Sequence, residues 1–204
     1  MKVLSMPQGS PEWLAARAGK VTASRISDVM AAKTTAAYRD YRAQIVAEIL
    51  TGQPQESGFT NAAMQWGTEQ EKFARAEYEM LCNWTVDEVG LVIHPTIEQG
   101  AASPDGLVSD GLVEIKCPKT ATHLQTLVDK KQPRQYENQM LWQMACTGRQ
   151  WCDFVSYDPR LPEYLQLFVH RFDRDEKRIE EIEAAVTQFL TEVNEMIDKI
   201  KEQK

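Results

Sequence analysis

The chain has 204 residues, 43% of them hydrophobic and 26% charged, which suffices for a substantial core and is too apolar for a disordered segment. Its net charge of -7 excludes a protein that coats nucleic acid without selectivity, because such proteins need a basic field to displace counterions. No apolar run nears the roughly 18 residues of a membrane span, and Met1 to Ser10 lacks the pattern of a secretory signal, so a cytoplasmic location without a membrane partner is expected.

The first third reads as helical. Ser10-Pro11-Glu12 opens a helix with Ser10 as cap and Pro11 at its first position, and Thr22-Ala23-Ser24 opens another that ends near Lys33. A third runs from about Tyr38 to Leu50 and stops at Gly52; after a polar loop, Gln53 to Ser57, a long helical pattern covers Asn61 to Leu81. The texture then turns to short strands: Thr85 to Val86, Leu91 to His94, Ala101 to Ser103 and Leu112 to Cys117, with Asp110-Gly111 as a hairpin turn. Helices follow at Thr120 to Lys130 and Arg134 to Cys146, then strands at Trp151 to Ser156 and Tyr164 to Arg171.

A long helix from about Asp173 to Lys201 closes the chain, with Asp173 and Glu176 as a capping box and an apolar stripe through Ile179, Ile182, Val186, Phe189, Val193, Ile197 and Ile200. Helices before, between and after the strands predict an α/β fold with a sheet covered on both faces, and no linker-like tract divides residues 1–204 into two domains. Cys82, Cys117, Cys146 and Cys152 show neither a CxxC pair nor a zinc spacing, so free thiols are expected; His94, His123 and His170 lie near no nucleophile motif.

The chemistry concentrates between Ser103-Pro104-Asp105-Gly106 and Glu114-Ile115-Lys116. Residues two apart in a strand share a face, so Glu114 and Lys116 project together while Ile115 enters the apolar side. A hairpin through Asp110-Gly111 brings the preceding segment alongside, and Asp105 can then join them. Hydrolysis of a phosphodiester needs a cation, an activated water and in-line placement. Two carboxylates suit Mg²⁺ or Mn²⁺, and a lysine beside them can orient or deprotonate water. Spacing alone leaves another reading open, since Pro-Asp-Gly is a common turn and Glu-Ile-Lys an ordinary half-exposed strand.

The stretch from Asp105 to Lys116 resembles the PD...(D/E)xK signature of the restriction-endonuclease-like nucleases, whose fold is a central mixed β-sheet flanked by helices. Four further motifs occur in the order found in the lambda-type phage exonucleases: Trp13 to Ser24, Trp66-Gly67 followed by Glu71, Cys117-Pro118 after the lysine, and Tyr157-Asp158-Pro159-Arg160. The resemblance implies a Mg²⁺-dependent 5′-to-3′ exonuclease that degrades one strand of duplex DNA, with two ions per site and Mn²⁺ able to substitute. Asp105, Glu114 and Lys116 would form the active site, with Glu71 and the carbonyl of Ile115 as further metal ligands. Arg17, Ser24 and Gln139 match a pocket for the 5′-terminal phosphate, and Trp13 and Met64 match residues that line the DNA path and separate the strands. Lys33 stands near a position where some relatives carry an arginine. The same resemblance implies a homotrimeric ring around DNA and a single-strand annealing protein as partner, in phage-type recombination. A metal-dependent endonuclease of this fold and a non-catalytic DNA-end-binding module are the alternatives; the first is weakened by the lack of a separate sequence-reading motif.

Overall fold

The computed structural model describes residues 1–55 and 62–203, and of residues 62–64 the backbone alone. Two four-stranded mixed sheets carry the architecture. The first runs β1 (Lys2–Leu4), β3 (Leu91–Ile93), β4 (Gly100–Ala102), β2 (Val21–Thr22), with β2 parallel to β4 and the other pairs antiparallel. The second runs β5 (Gly106–Val108), β6 (Gly111–Lys116), β7 (Trp151–Tyr157), β8 (Leu167–Asp173), with only the central β6–β7 pair parallel. That parallel pair requires a crossover, and α5 (Thr120–Asp129) and α6 (Glu137–Thr147) supply it.

The helical N-terminal third stands as expected at α1 (Pro11–Arg17), where Ser10 accepts from the Trp13 amide and Pro11 opens the helix. It also stands at α3 (Ala36–Thr51), which ends on Gly52 in the left-handed conformation that glycine adopts without a Cβ penalty. The helix expected from Thr22 to Lys33 is shorter: Thr22 belongs to β2, a 3-10 turn covers Ala23–Arg25, and α2 is only Ile26–Val29. α4 covers Ala62–Cys82; Asn61 and the end of the polar loop fall outside the described residues. The strand expected at Thr85 to Val86 is reduced to one bridge, Asp87 to Leu107.

Two local expectations shift by a residue or two. The β5–β6 hairpin turns on Ser109-Asp110, because Gly111 is already paired with Val108; a Cβ at Gly111 would lie 2.2 Å from the Trp151 ring, so this glycine serves a close approach within the strand. The long C-terminal helix α7 spans Glu176–Lys201 and is capped by Asp175, which accepts from the Arg178 amide at 3.1 Å. Asp173 pairs with Trp151 as the last residue of β8 and so cannot also cap. The apolar stripe of α7 is buried except at Ile200, and Phe189 stacks on Tyr41 at 5.5 Å. Each such aromatic or aliphatic side chain contributes about 1.5–3 kcal/mol on burial. No helix is long and apolar enough to cross a membrane among the described residues.

Two polar networks fix the helices: a buried one ties α4 to the second sheet, and a partly exposed one ties α3 to α7. Asp153 on β7 is buried and accepts from the Tyr78 hydroxyl of α4 at 2.8 Å and from Arg171 of β8 at 2.9 and 3.1 Å. Glu192 on α7 receives Lys33, the Tyr38 hydroxyl at 2.9 Å and Arg42 at 2.9 Å. Burial alone would raise the pKa of Glu192, but these three donors outweigh it and draw the carboxyl down to about 2.

Two outcomes follow. Asp153→Ala leaves the Tyr78 hydroxyl and the Arg171 guanidinium without their acceptor, and should lower stability in urea by about 2–3 kcal/mol. Glu192 has a folded pKa of about 2 against an ordinary 4.5, so its contribution is fully present above pH 4.5 and is lost as the pH falls through about 2. Glu192→Gln should therefore cost about 1–2 kcal/mol at neutral pH. Urea titrations at descending pH should show the gap between wild type and variant closing.

Candidate active site

The β5–β6 hairpin assembles the centre. Its last rung is Gly106 opposite Val113, so the next step sets Asp105 opposite Glu114. Asp105 Oδ2 accepts from the Ile115 amide at 2.6 Å, a bond that ties the loop before β5 to the strand carrying the other two groups. Glu114 and Lys116 share a face, as the two-residue period requires, and Lys116 Nζ meets Glu114 Oε1 directly. Ile115 points the other way into an apolar cluster with Val113, Val155 and Ala74. Its observed contribution to the site is the amide on Asp105.

Glu114 is wholly buried. Besides Lys116, two amides from α6 hold it: Gln139 donates to Oε1, and Gln143 donates to Oε2 at 2.6 Å. The Lys116 ammonium also lies 5.2 Å from the Tyr136 ring centroid, a cation–π contact from the turn that opens α6. Burial would lower the pKa of Lys116, but the Glu114 and Asp105 carboxylates more than offset it, and the net shift is upward. Asp105 is raised as well: burial first, then the charges of Glu114 and Glu71, push its carboxyl well above the usual range despite Lys116.

Glu71 approaches from α4 and is electrostatically part of the cluster. Burial raises its pKa, Glu114 adds to the rise, and Arg75, one turn on, opposes it through a 2.8 Å ion pair. Arg75 also pairs with Glu88. Among the described residues no three His, Cys, Asp or Glu side chains close into a cage for an ion. The donor set is instead two carboxylates crowded with like charge, with a third nearby under an arginine. Such a set suits a hard cation that keeps most of its own waters, and the excess negative charge felt at Asp105 is what a divalent cation would relieve.

The other expected site residues divide. Trp13 donates from Nε1 to Ser103 Oγ at 2.9 Å, beside the loop that carries Asp105. Arg17 lies over the Trp13 ring at 4.0 Å, reaches Thr22 Oγ1 at 3.5 Å, and has no carboxylate within ion-pair distance among the described residues. Burial pulls its pKa down, although it stays an arginine cation. Ser24 is exposed on the 3-10 turn that packs against α6. Gln139, on that helix, gives its amide to Glu114, and Lys33 is engaged by Glu192 of α7. The Met64 side chain lies outside the described residues.

Sequence reasoning missed Gln143, Tyr136, Arg75 and the use made of Arg160. Arg160 bonds Asp158 at 2.6 and 3.0 Å and the Pro118 carbonyl at 3.0 Å, and its guanidinium lies 4.9 Å from the Trp66 ring. Three separate motifs, Trp66-Gly67, Cys117-Pro118 and Tyr157 to Arg160, therefore meet at one place; their order in the sequence was the only signal of it. Cys117, next to Lys116, is no nucleophile: burial, then Glu71 and Asp105, push its thiol up to about 12. All four cysteines are free thiols, and His123 has both ring nitrogens committed, to Ser156 Oγ and the Leu165 carbonyl.

Comparison with known proteins identifies the family and the fold. Residues 12–150 match the model of the YqaJ-like viral recombinase domain. The solved structure of the alkaline exonuclease LHK-Exo from Laribacter hongkongensis is 51% identical, covers 95% of this chain and 97% of its own, and superposes with a TM-score of 0.89. The same protein in complex with dAMP gives 0.90 over the same coverage and identity. A phage-related exonuclease from Haemophilus somnus 129PT, only 15% identical, covers 89% of this chain and 96% of its own at a TM-score of 0.70, and shares the fold. No curated protein sequence matches the chain. The β5–β6 centre thus sits within a matched segment that reaches from α1 to the start of β7, and the chain belongs to the YqaJ-like viral recombinase family.

Proposed function

We propose that the chain is a Mg²⁺-dependent 5′-to-3′ exonuclease acting on the ends of duplex DNA, and that it leaves 3′ single-strand overhangs. The observation that carries this reading is the convergence of Asp105, Glu114 and Lys116 on one face of the β5–β6 hairpin. The 51% identity to an alkaline exonuclease over nearly the whole chain supports it. Asp105 and Glu114 would hold the cation with the Ile115 carbonyl, and Glu71 would hold a second. Bound there, a divalent cation supplies charge neutralisation at the phosphoryl oxygens and lowers the pKa of water. Mn²⁺ fits the same oxygen donors.

The chain's own groups do the rest. Lys116, kept as an ammonium by Glu114 and Asp105, orients the attacking water by donation and offsets charge that builds on the phosphoryl group. Glu114 is held in place by three donors, from Gln139, Gln143 and Lys116. Arg17 is the anion receptor of the site: a half-buried guanidinium on an aromatic face, with no ion-pair partner among the described residues, suits a phosphate. Ser24 and Gln139 complete that pocket and Trp13 lines the path toward it, while Met64 separates the strands and Lys33 adds a point charge. By the same resemblance the chain works as a homotrimeric ring and passes its product to a single-strand annealing protein.

Lys116→Ala and Asp105→Ala should each lower turnover of linear duplex by about 10²–10⁴-fold or more, and chelation of divalent cations should stop wild-type digestion. An end-labelled time course reads both, and full activity in either variant would remove the reading. Covalently closed circles should survive; nicking of them would select the endonuclease instead. Arg17→Ala should cut the preference for a 5′-phosphate over a 5′-hydroxyl end by about 10–100-fold, the worth of a charge-assisted bond pair. Paired kcat/KM values on the two end chemistries measure this.

A further inference from the structure

The lone pairs of Glu114 can be counted. A carboxylate offers about four acceptor positions, two on each oxygen. Oε1 receives both the Gln139 amide and the Lys116 ammonium and is full. Among the described residues Oε2 receives only the Gln143 amide, at 2.6 Å, which leaves one position.

Gln143 is itself fully buried, one helical turn from Gln139 on the same face of α6. Its own Oε1 finds no hydrogen-bond partner among the described residues. Turning the amide over would not relieve this oxygen, because it would then face Glu114 Oε2 and a donor would be lost from a buried charge. A buried carbonyl without a donor is a standing cost that natural cores rarely keep, and a leucine of similar volume would avoid it.

We propose that Gln143 is a positioning residue that makes Glu114 a one-oxygen ligand. It fixes the carboxylate plane through Oε2, leaves a single acceptor position there for a hard divalent cation, and offers its uncommitted carbonyl oxygen to a water carried by that cation. The inference rests on the metal-dependent reading above and deepens it. Nothing in the (D/E)xK motif points to this residue, which lies twenty-seven positions beyond Lys116 and reaches the site only because α6 packs over β6.

The test is calorimetric titration of Mn²⁺ into the DNA-free protein, wild type against Gln143→Leu. Thermal unfolding of each metal-free sample checks that the fold is kept. Loss of an outer hydrogen bond to a ligand typically weakens metal binding about 10–100-fold, and at least a tenfold rise in Kd is expected. Gln143→Met, of nearly the same length, serves if the leucine variant does not fold. A crystal of the wild-type protein soaked in Mn²⁺ reads the same point without substitution: an ion on Glu114 Oε2 alone supports the proposal, and an ion on Oε1 or on both oxygens overturns it. A Kd within twofold of wild type in a folded variant also overturns it. Wild-type protein that takes up no Mn²⁺ would instead sink the metal-dependent reading beneath it.

Discussion

A fully buried carboxylate at Glu114 is the constraint around which this molecule is arranged. Taking such a charge out of water costs several kcal/mol unless donors surround it. The donors here come from two elements that are distant in sequence: Lys116 from the same strand, and Gln139 and Gln143 from α6. Meeting that demand requires α6 to lie directly over β6, and hence requires the crossover that makes β6 and β7 parallel. The parallel pair in an otherwise antiparallel sheet and the satisfied charge are two views of one arrangement.

Charge is distributed unevenly for a reason that the net value of -7 conceals. Acids gather at the hairpin, where Asp105 and Glu71 are both raised by burial and by Glu114. Arg17 lies on Trp13 with no ion-pair partner among the described residues. A phosphodiester approaching such a surface meets repulsion from the acids unless a cation intervenes, and attraction at the arginine in any case. Such a distribution is compatible with a few local contacts to a polyanion and does not require a general basic field.

Much of this was legible in the residues. The period of two put Glu114 and Lys116 together, the turn chemistry brought Asp105 across, and Ser10-Pro11 and Gly52 marked helix ends where they occur. Failures came where a tertiary contact overrode a local signal. Asp110-Gly111 has the composition of a hairpin turn, but the Trp151 ring claims the space over Gly111 and shifts the turn to Ser109-Asp110. Asp173 fits a capping box, but the ladder with Trp151 holds it in β8. Thr22 could start a helix, but pairing with Ala101 keeps it extended. β1 was missed because three residues carry no periodicity to read. Gln143 was missed because an amide on an apolar helix face carries no spacing rule; only the distance to Glu114 gives it meaning.

Glu71 shows how position can be fixed from afar. In the sequence it is one more glutamate on a polar helix. In the fold, α4 is anchored on either side of it: toward its start Trp66 lies under the Arg160 guanidinium, which also grips Asp158 and the Pro118 carbonyl, and toward its end Tyr78 donates to buried Asp153. A helix held at two points cannot roll about its axis, so the face carrying Glu71 stays toward β6. Arg75 then sets the reach of the side chain by sharing itself between Glu71 and Glu88. The carboxylate is near enough to Glu114 to feel its charge and yet restrained by an arginine.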